Sequence, residues 1–183
     1  RAEHIPLQQL TGEQDFMGLT FAVNEHVLIP RQDTEILVEE VLKELHDGMR
    51  VLDMCTGSGC ILLSLLHYSN ACEGLGVDLS ADALEVAEQN AETLLDAVNA
   101  DRGHFLQSDL FDKVEGKFEI IVSNPPYIAS AEVEKLMPEV RDHEPRMALD
   151  GTEDGLHFYR RIIEEAGKHL VSSGMLFFEI GYD

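Results

Sequence analysis

The chain has 183 residues, which is enough for one domain with a full hydrophobic core but too few for two of ordinary size. Its 13 basic and 35 acidic residues give a net charge of −22, which argues against a surface that binds the phosphate backbone of nucleic acid. The sequence has neither an apolar run near the ~20 residues that cross a bilayer nor a signal peptide at its start, so we expect a cytoplasmic protein without membrane contact.

The first part of the chain is a lead-in, which we assign to residues 1–30. Gly12 and Gly18 are turn residues, and the segment LTFAV alternates between apolar and polar side chains. Residues 7–29 are therefore predicted to be a short β-rich segment. The remaining residues, 31–183, are assigned to the main domain.

A helix is predicted at the start of the main domain. Either Asp33 or Thr34 can cap its first turn, because a side-chain oxygen at that position accepts a free backbone N–H. The apolar side chains that follow have helical spacing: Leu37, Val38, Val41, Leu42 and Leu45. Gly48 ends this pattern, so we predict a helix with one buried face.

Strands and helices then alternate along the chain. Strands are predicted for the segments MRVLDM, EGLGVD, GHFLQS, KFEIIVS and GMLFFEI. Between them, an apolar helix follows Gly59, a second helix begins after the cap residue Ser80, and a third carries Leu156, Tyr159, Ile163, Ala166 and Leu170. Strands that are apolar on both faces and separated by helices predict an α/β fold with a doubly wound, mostly parallel sheet.

A glycine turn follows the first strand of this sheet. The strand ends at Asp53, and the chain then turns through Gly57 and Gly59 into the apolar helix. Glycine lets the backbone approach a ligand closely, and nucleotide-like ligands bind at this end of such sheets. Asp78 closes the second strand, 21 residues after Gly57, which suits a carboxylate that accepts hydrogen bonds from both ribose hydroxyls.

The residues around the turn favour S-adenosylmethionine over a nicotinamide dinucleotide. Leu62 stands where the dinucleotide motif has a third glycine, and Asp53 is a poor neighbour for a pyrophosphate but suits an ammonium group. Asp109, just past the third strand, can accept from an adenine amino group, while Leu110 can pack on the ring. A tight structural turn with incidental acids, and a capping role for Asp109, remain alternatives.

The fourth strand ends in the segment SNPPYI, residues 123–128. Two adjacent prolines cannot continue a strand, and the residue before each of them is held extended. The fourth strand of such a sheet lies beside the first, so we expect Asn124 to open into the same crevice as the glycine turn. A rigid structural turn is the alternative interpretation.

This segment suits a planar NH2 group as methyl acceptor. The nitrogen is a poor nucleophile and reacts only when it is held in line with the methyl donor. The side-chain oxygen of Asn124 and the carbonyl of Pro125 can each accept one N–H of the same group, and Pro126 stiffens the turn. Tyr127 can lie against the flat face of the substrate. Asn124, Pro125, Pro126 and Tyr127 are therefore the candidate catalytic and substrate-binding residues.

At these residues the chain resembles the class I S-adenosylmethionine-dependent methyltransferases, and within them the release-factor glutamine N5-methyltransferases of the PrmC/HemK family. The segment NPPY alone is shared with adenine and guanine amino methyltransferases, whereas its combination with IPRQDTE and EPRMALDG is more specific. The resemblance extends over nearly the whole chain, through the segments LTGEQDF, LIPRQDTEILVE, VLDMCTGSGC, VDLSADALEVAEQNA, SDLF, SNPPYI and HEPRMALDGTEDGLHFYRRI.

The resemblance implies methyl transfer from S-adenosylmethionine to the glutamine side chain in the Gly-Gly-Gln motif of peptide release factors. It implies that the cofactor contacts are Cys55, Thr56, Gly57, Ser58, Gly59, Asp78 and Leu79, with Leu110 beside the adenine. It implies that Asn124 to Tyr127 hold the glutamine, that Arg31 and Glu35 shape the site, and that Glu144 lies near the substrate channel. The family's last two strands are expected after EIGYD, so the methyltransferase domain, 31–183, is expected to be incomplete at its C-terminal end.

Two other functions remain open from the sequence. An amino methyltransferase acting on adenine or guanine in nucleic acid would use the same NPPY segment. Such an enzyme is expected to have a basic surface, and the net charge of −22 argues against one here. A regulatory domain that binds the cofactor without catalysis is the second, and an intact NPPY argues against it. No metal site is predicted, because the histidines have no metal-ligand spacing and Cys55, Cys60 and Cys72 lack paired spacing.

Overall fold

A computed structural model describes residues 4–70, 72–95 and 100–181 of the chain. The ends of the two predicted domains, at residues 1 and 183, lie outside the described residues, and the division at residue 30 stays a prediction. The helices are α1 Leu7–Thr11, α2 Gln32–Glu44, α3 Cys60–His67, α4 Ala81–Leu94, α5 Ser130–Val133, α6 Pro138–Arg141, α7 Arg146–Leu149 and α8 His157–His169. The strands are β1 Glu13–Phe16, β2 Leu19–Ala22, β3 Arg50–Met54, β4 Glu73–Asp78, β5 Gly103–Gln107, β6 Phe118–Ser123 and β7 Leu170–Phe178.

The main sheet has five parallel strands in the order β5-β4-β3-β6-β7. The chain runs outwards from the central strand β3 to one edge and then returns to the other side, and α/β sheets bind their ligands at such a reversal. This arrangement confirms the predicted doubly wound parallel sheet. Among the described residues, no helix combines the length and apolar composition that a bilayer crossing requires.

The core lies on both faces of the sheet, because successive side chains of a strand point to opposite sides. Val51 of β3 packs with α2 and α3, whereas Leu52 and Met54 pack with α8 on the other face. All three side chains are fully buried, and each burial stabilises the fold by about 1.5–3 kcal/mol. Asp53 is also fully buried in this strand, between Leu52 and Met54, so its burial demands a local partner.

The structure differs from the sequence prediction in four local details. The lead-in contains the hairpin β1–β2, but it opens with the helix α1. Neither Asp33 nor Thr34 caps α2, since the helix already begins at Gln32 and turns Thr34 into the protein interior. In α8 the buried isoleucine is Ile162, whereas the predicted Ile163 is exposed, and Leu170 is the first residue of β7 rather than part of the helix. The connection after β6 contains the short helices α5, α6 and α7.

One buried side chain joins the β1–β2 hairpin to the main sheet. Asn90 of α4 accepts a hydrogen bond from the Ala22 N–H (2.7 Å) and donates to the Ala22 carbonyl (3.1 Å). The same amide donates to the Ser58 carbonyl (2.9 Å), which belongs to the glycine turn. Asn90 therefore fixes the hairpin and the turn relative to each other.

We expect Asn90→Ala to destabilise the protein, because one buried and two half-buried backbone groups lose their partner. The free energy of unfolding should fall by about 2–4 kcal/mol in urea denaturation. Gln89→Ala changes the exposed neighbour on the same helix and should stay within about 0.5 kcal/mol of wild type. Equal denaturation midpoints for the two variants would contradict the bridging role of Asn90.

Candidate active site

A cavity of about 570 Å³ opens at the carboxyl ends of β3, β4 and β6. This volume is typical of a small-molecule site. The strand ends form its floor, and residues 26–31 of the lead-in and 145–148 around α7 contribute to its wall. Most of the site residues predicted from the sequence line it: Arg31, Cys55, Thr56, Gly57, Ser58, Asp78, Leu79, Asp109, Leu110, Asn124 and Pro126.

The glycine turn between β3 and α3 has a left-handed backbone at three positions. The φ angles of Cys55, Gly57 and Gly59 are 64°, 54° and 78°. Glycine adopts this conformation without the steric cost that a Cβ atom brings, which explains why glycine is found at positions 57 and 59. A side chain at Gly59 would also press against Leu63 and Ala87, whereas the space beside Gly57 is open. Gly59 therefore supports the turn from behind, and Gly57 is at the cavity.

The Asp78 carboxylate holds the turn next to the end of β4. Its Oδ2 accepts from the Gly57 N–H at 2.9 Å, and its Oδ1 accepts from the Ser80 N–H at the same distance. Burial raises the pKa of Asp78, and these backbone hydrogen bonds partly oppose the rise. Each oxygen keeps a further lone pair, so the carboxylate can also accept from a ligand hydroxyl.

Asp53 lies behind the turn rather than in the cavity. Its Oδ2 accepts from the Thr56 hydroxyl at 2.6 Å and from the Leu62 N–H at 3.3 Å, while its Oδ1 has no hydrogen-bond partner in the described part of the chain. Burial raises its pKa to about 7, although the hydrogen bonds from Thr56 and Leu62 lower it. Asp53 thus fixes the base of the turn, and it is enclosed by protein on every side.

Asp109 and Leu110 line the opposite side of the cavity, after β5. Leu110 is buried and has a φ of 48°, which is uncommon for a residue other than glycine. Asp109 pairs with Arg161 of α8, with 2.8 Å between Oδ1 and Nη1. Sequence reasoning missed this arginine, because 52 residues separate it from its partner along the chain.

The NPPY turn leaves β6 directly beside the glycine turn. Ser123, the last residue of β6, donates its hydroxyl proton to the Met54 carbonyl at 2.6 Å. Asn124 and Pro126 line the cavity, whereas Pro125 is buried and Tyr127 lies behind the lining, beside Gly181.

Two glycines of the connection before α8 pack against this turn. A Cβ atom at Gly155 would overlap the Tyr127 carbonyl oxygen, and one at Gly151 would lie 2.8 Å from the Pro126 carbonyl oxygen. Gly155 also has a φ of 73°. These glycines allow the backbone of residues 151–155 to lie directly on the turn, and sequence reasoning did not single them out.

Thr34 and Glu179 are polar residues of the site that sequence reasoning also missed. The buried Thr34 hydroxyl lies 3.4 Å from the Asn124 Nδ2. Glu179, which follows β7, accepts from the Tyr127 hydroxyl at 3.5 Å. Burial is the main cause of the raised pKa of both Glu179 and Tyr127. The only sequence signal for Glu179 was an acidic residue at the end of an apolar strand.

Arg31 and Glu144 pair with each other. Arg31 Nη2 lies 2.5 Å from Glu144 Oε1, and Glu144 Oε2 accepts from the Ile29 N–H at 3.2 Å. Arg31 lines the cavity, but the Glu144 side chain is buried behind it, and each of its carboxylate oxygens accepts one of these contacts. Glu35 also lies outside the lining, where it accepts from the Met17 N–H at 2.7 Å. These acids position the lead-in over the site.

The side chains that surround the cavity do not form a metal centre. No group of three or more His, Cys, Asp or Glu side chains has suitable geometry within residues 4–70, 72–95 and 100–181. Cys55, Cys60 and Cys72 are free thiols. What the cavity offers is carboxylates at two strand ends, apolar walls, and the amide of Asn124.

Comparison with protein families gives a match to the methyltransferase small domain over residues 31–140, which is more than half of the chain. The whole chain is 46% identical to a release factor glutamine methyltransferase of Clostridium acetobutylicum and 44% identical to one of Agrobacterium fabrum. It spans 65% and 64% of the length of these relatives, which is slightly less than two thirds.

Solved structures show the same fold. A methyltransferase from Pyrococcus furiosus superposes with a TM-score of 0.64 at 20% identity, covering 91% of this chain and 72% of the other. A ribosomal protein L11 methylase from Lactobacillus delbrueckii subsp. bulgaricus gives a TM-score of 0.56 at 20% identity, covering 81% of this chain and 60% of the other. Both likenesses agree with the doubly wound parallel sheet.

Asp53→Asn should change how stability depends on pH. The folded-state pKa of Asp53, about 7, lies above the 3.8 of a free carboxyl. The stability that this group contributes is therefore fully present below pH 3.8 and is lost as the pH rises through about 7. Asparagine does not titrate, so between about pH 4 and about pH 8 the unfolding free energy of wild type should fall relative to the variant by roughly 2–4 kcal/mol.

Urea denaturation of wild type and Asp53→Asn at about pH 4 and about pH 8 measures the two unfolding free energies. The exposed Asp47→Asn is the matched control and should leave the pH dependence of wild type unchanged. If the stability difference between wild type and Asp53→Asn is the same at both pH values, the fold does not raise the pKa of Asp53.

Proposed function

We propose, since the chain belongs to the methyltransferase small domain family, that it transfers a methyl group from S-adenosylmethionine to the side-chain amide nitrogen of a glutamine in peptide release factors. The observation that carries this proposal is that the glycine turn and the NPPY turn open onto one cavity. A methyl donor held at the first turn would therefore meet an NH2 group held at the second. The 44–46% identity to release factor glutamine methyltransferases supports the choice of substrate.

The residues around the glycine turn fit S-adenosylmethionine. When bound, this cofactor supplies a methyl group on a positively charged sulfur. The backbone at Gly57 leaves room for its amino acid part, and the carboxylates of Asp78 and Asp109 favour a cation and can accept from hydroxyl or amino groups. Ser58 belongs to the cavity lining, but its hydroxyl oxygen is buried, so we assign it no direct contact with the cofactor.

The remaining predicted contacts complete the cofactor site in this proposal. Cys55, Thr56 and Leu79 line the cavity beside the turn, and Leu110 provides an apolar surface for a planar ring. Asp53 and Gly59 act from behind, by fixing the turn.

The NPPY turn handles the acceptor nitrogen. An amide nitrogen is unreactive because its lone pair is delocalised, so the protein has to hold it and stabilise the positive charge that develops on it. In the proposal, the Asn124 Oδ1 and the Pro125 carbonyl each accept one N–H of the glutamine NH2. Pro126 keeps the turn rigid, and Tyr127, behind the cavity lining, supports the turn rather than lying against the glutamine.

A protein substrate fits the charge of this chain better than a nucleic acid does. The net charge of −22 repels a phosphate backbone, whereas it favours a partner with basic residues. The amino methyltransferase acting on adenine or guanine is therefore the less favoured function. Since release factors act on the ribosome, the proposed location is the cytoplasm.

We expect the purified protein, incubated with S-adenosylmethionine and a release factor, to add one methyl group to the glutamine of the Gly-Gly-Gln motif. Peptide mapping by mass spectrometry locates the modified residue. Asn124→Ala should lower the rate by at least about 100-fold, because the developing charge loses an acceptor. Cofactor affinity, measured by calorimetry, should stay within a few-fold. A methyl group on another residue, or full activity of Asn124→Ala, would overturn the proposal.

Asp78→Ala should act on the cofactor instead. We expect binding to weaken by about 1–3 kcal/mol, because the variant removes a charged acceptor that also holds the Gly57 N–H. Asp82→Ala, at an exposed position in the first turn of α4, is the matched control and should bind the cofactor like wild type. If calorimetry gives the same affinity for both variants, Asp78 does not contact the cofactor.

A further inference from the structure

Three polar side chains form a chain of contacts beside the cavity. Asn124 Nδ2 lies 3.4 Å from the Thr34 Oγ1. Burial raises the pKa of Glu179, and hydrogen bonding by Thr34, Tyr127 and Asn124 lowers it against this larger effect. Asn124 and Thr34 both line the cavity, and Thr34 is 2% exposed. Glu179 Oε2 is enclosed and has no hydrogen-bond partner at ordinary distance among the described residues.

The chemistry of these groups allows one direction of donation. An ionised carboxylate only accepts hydrogen bonds, so the Thr34 hydroxyl and the Asn124 NH2 both face Glu179 as donors. A hydroxyl has a single proton, so the Thr34 oxygen is left to accept, and it faces the Asn124 amide. The NH2 end of that amide is therefore turned to Thr34, and its oxygen is turned away from Thr34.

We infer that Glu179 and Thr34 are positioning residues that set the orientation of the Asn124 amide, so that its Oδ1 is presented to the acceptor nitrogen. This inference rests on the proposed function, because the orientation matters only if Asn124 must accept a hydrogen bond. A flipped amide would present its NH2 to the NH2 of the substrate, and two donors repel each other. An Asn side chain alone has no strong preference between the two orientations.

Titratable groups approach Glu179 from four elements. Tyr127 of the NPPY turn donates to its Oε1, and the Tyr159 hydroxyl of α8 donates to its backbone carbonyl at 2.8 Å. Asp33 of α2 raises the pKa of Glu179 by charge repulsion, and Glu179 in turn raises the pKa of Cys60 in α3. Protonated Glu179 can itself donate, which frees the Thr34 hydroxyl to turn towards Asn124 and permits the flipped amide.

Thr34→Val and Thr34→Ser test the relay as a pair, because the first removes the hydroxyl at nearly constant shape and the second retains it. We expect kcat for methyl transfer to fall about 10- to 100-fold in Thr34→Val and no more than about fivefold in Thr34→Ser. The KM for the cofactor should not change in either variant. Equal kcat values for the two variants would overturn the inference.

The orientation of the amide can also be measured without substrate. The ¹H–¹⁵N signals of the Asn124 NH2 group are assigned by their loss in Asn124→Asp. In Thr34→Val these protons should exchange with water about tenfold faster than in wild type, and in Thr34→Ser they should remain protected. If wild type transfers no methyl group but shows this difference, the proposed function fails and the relay stands. If wild type is active and the exchange rates are equal, the relay fails.

Glu179→Gln tests the carboxylate itself. The pKa of Glu179 is raised above 4.5, so wild-type kcat should fall as the pH is lowered through this raised value, and the variant should lack this fall. Tyr159→Phe removes the contact to the Glu179 backbone but leaves its carboxylate, so it should keep the wild-type pH profile. An unchanged acidic limb in Glu179→Gln would overturn the role of Glu179.

Discussion

The parallel pairing of β3 with β6 is the constraint on which the rest of the site depends. Its register places Met54 opposite Ser123, and the Ser123 hydroxyl locks the two strand ends together at 2.6 Å. The residues that follow, Cys55 and Asn124, therefore leave the sheet side by side. A register shift of one residue would turn every side chain of β6 to the other face and would separate the two turns.

The site is supported by buried polar side chains that hold backbone groups rather than ligands. Asn90 satisfies the hairpin and the glycine turn, Asp53 satisfies the start of α3, and Glu144 satisfies Ile29 and Arg31. Taking such groups out of water costs free energy unless they are paired, and the pairing makes their geometry specific. These three side chains therefore stabilise the walls of the site and do not line the cavity themselves.

The acidic residues of the chain have several distinct physical roles. Asp78 is held by two backbone N–H groups and Asp109 by Arg161, so both carboxylates are fixed in position at the cavity. Glu179 has no cationic partner of this kind among the described residues, and its burial raises its pKa. Many other acids are exposed, where they contribute to the overall charge of −22 and to its effect on partners.

The sequence by itself determined the sheet, the two turns and the cavity-lining residues at the turns and strand ends. Apolar strands separated by amphipathic helices have few alternatives to a parallel doubly wound sheet, and glycine and proline specify turns through their own backbone limits. It did not determine where α2 begins, because the helix starts at Gln32 without a side-chain cap to mark its first residue. It also did not reveal that Glu144 pairs with Arg31 or that Arg161 pairs with Asp109. Only the tertiary structure brought Thr34 and Glu179 to Asn124, since contacts between residues so far apart in the chain depend on the register and order of the strands, which no local pattern encodes.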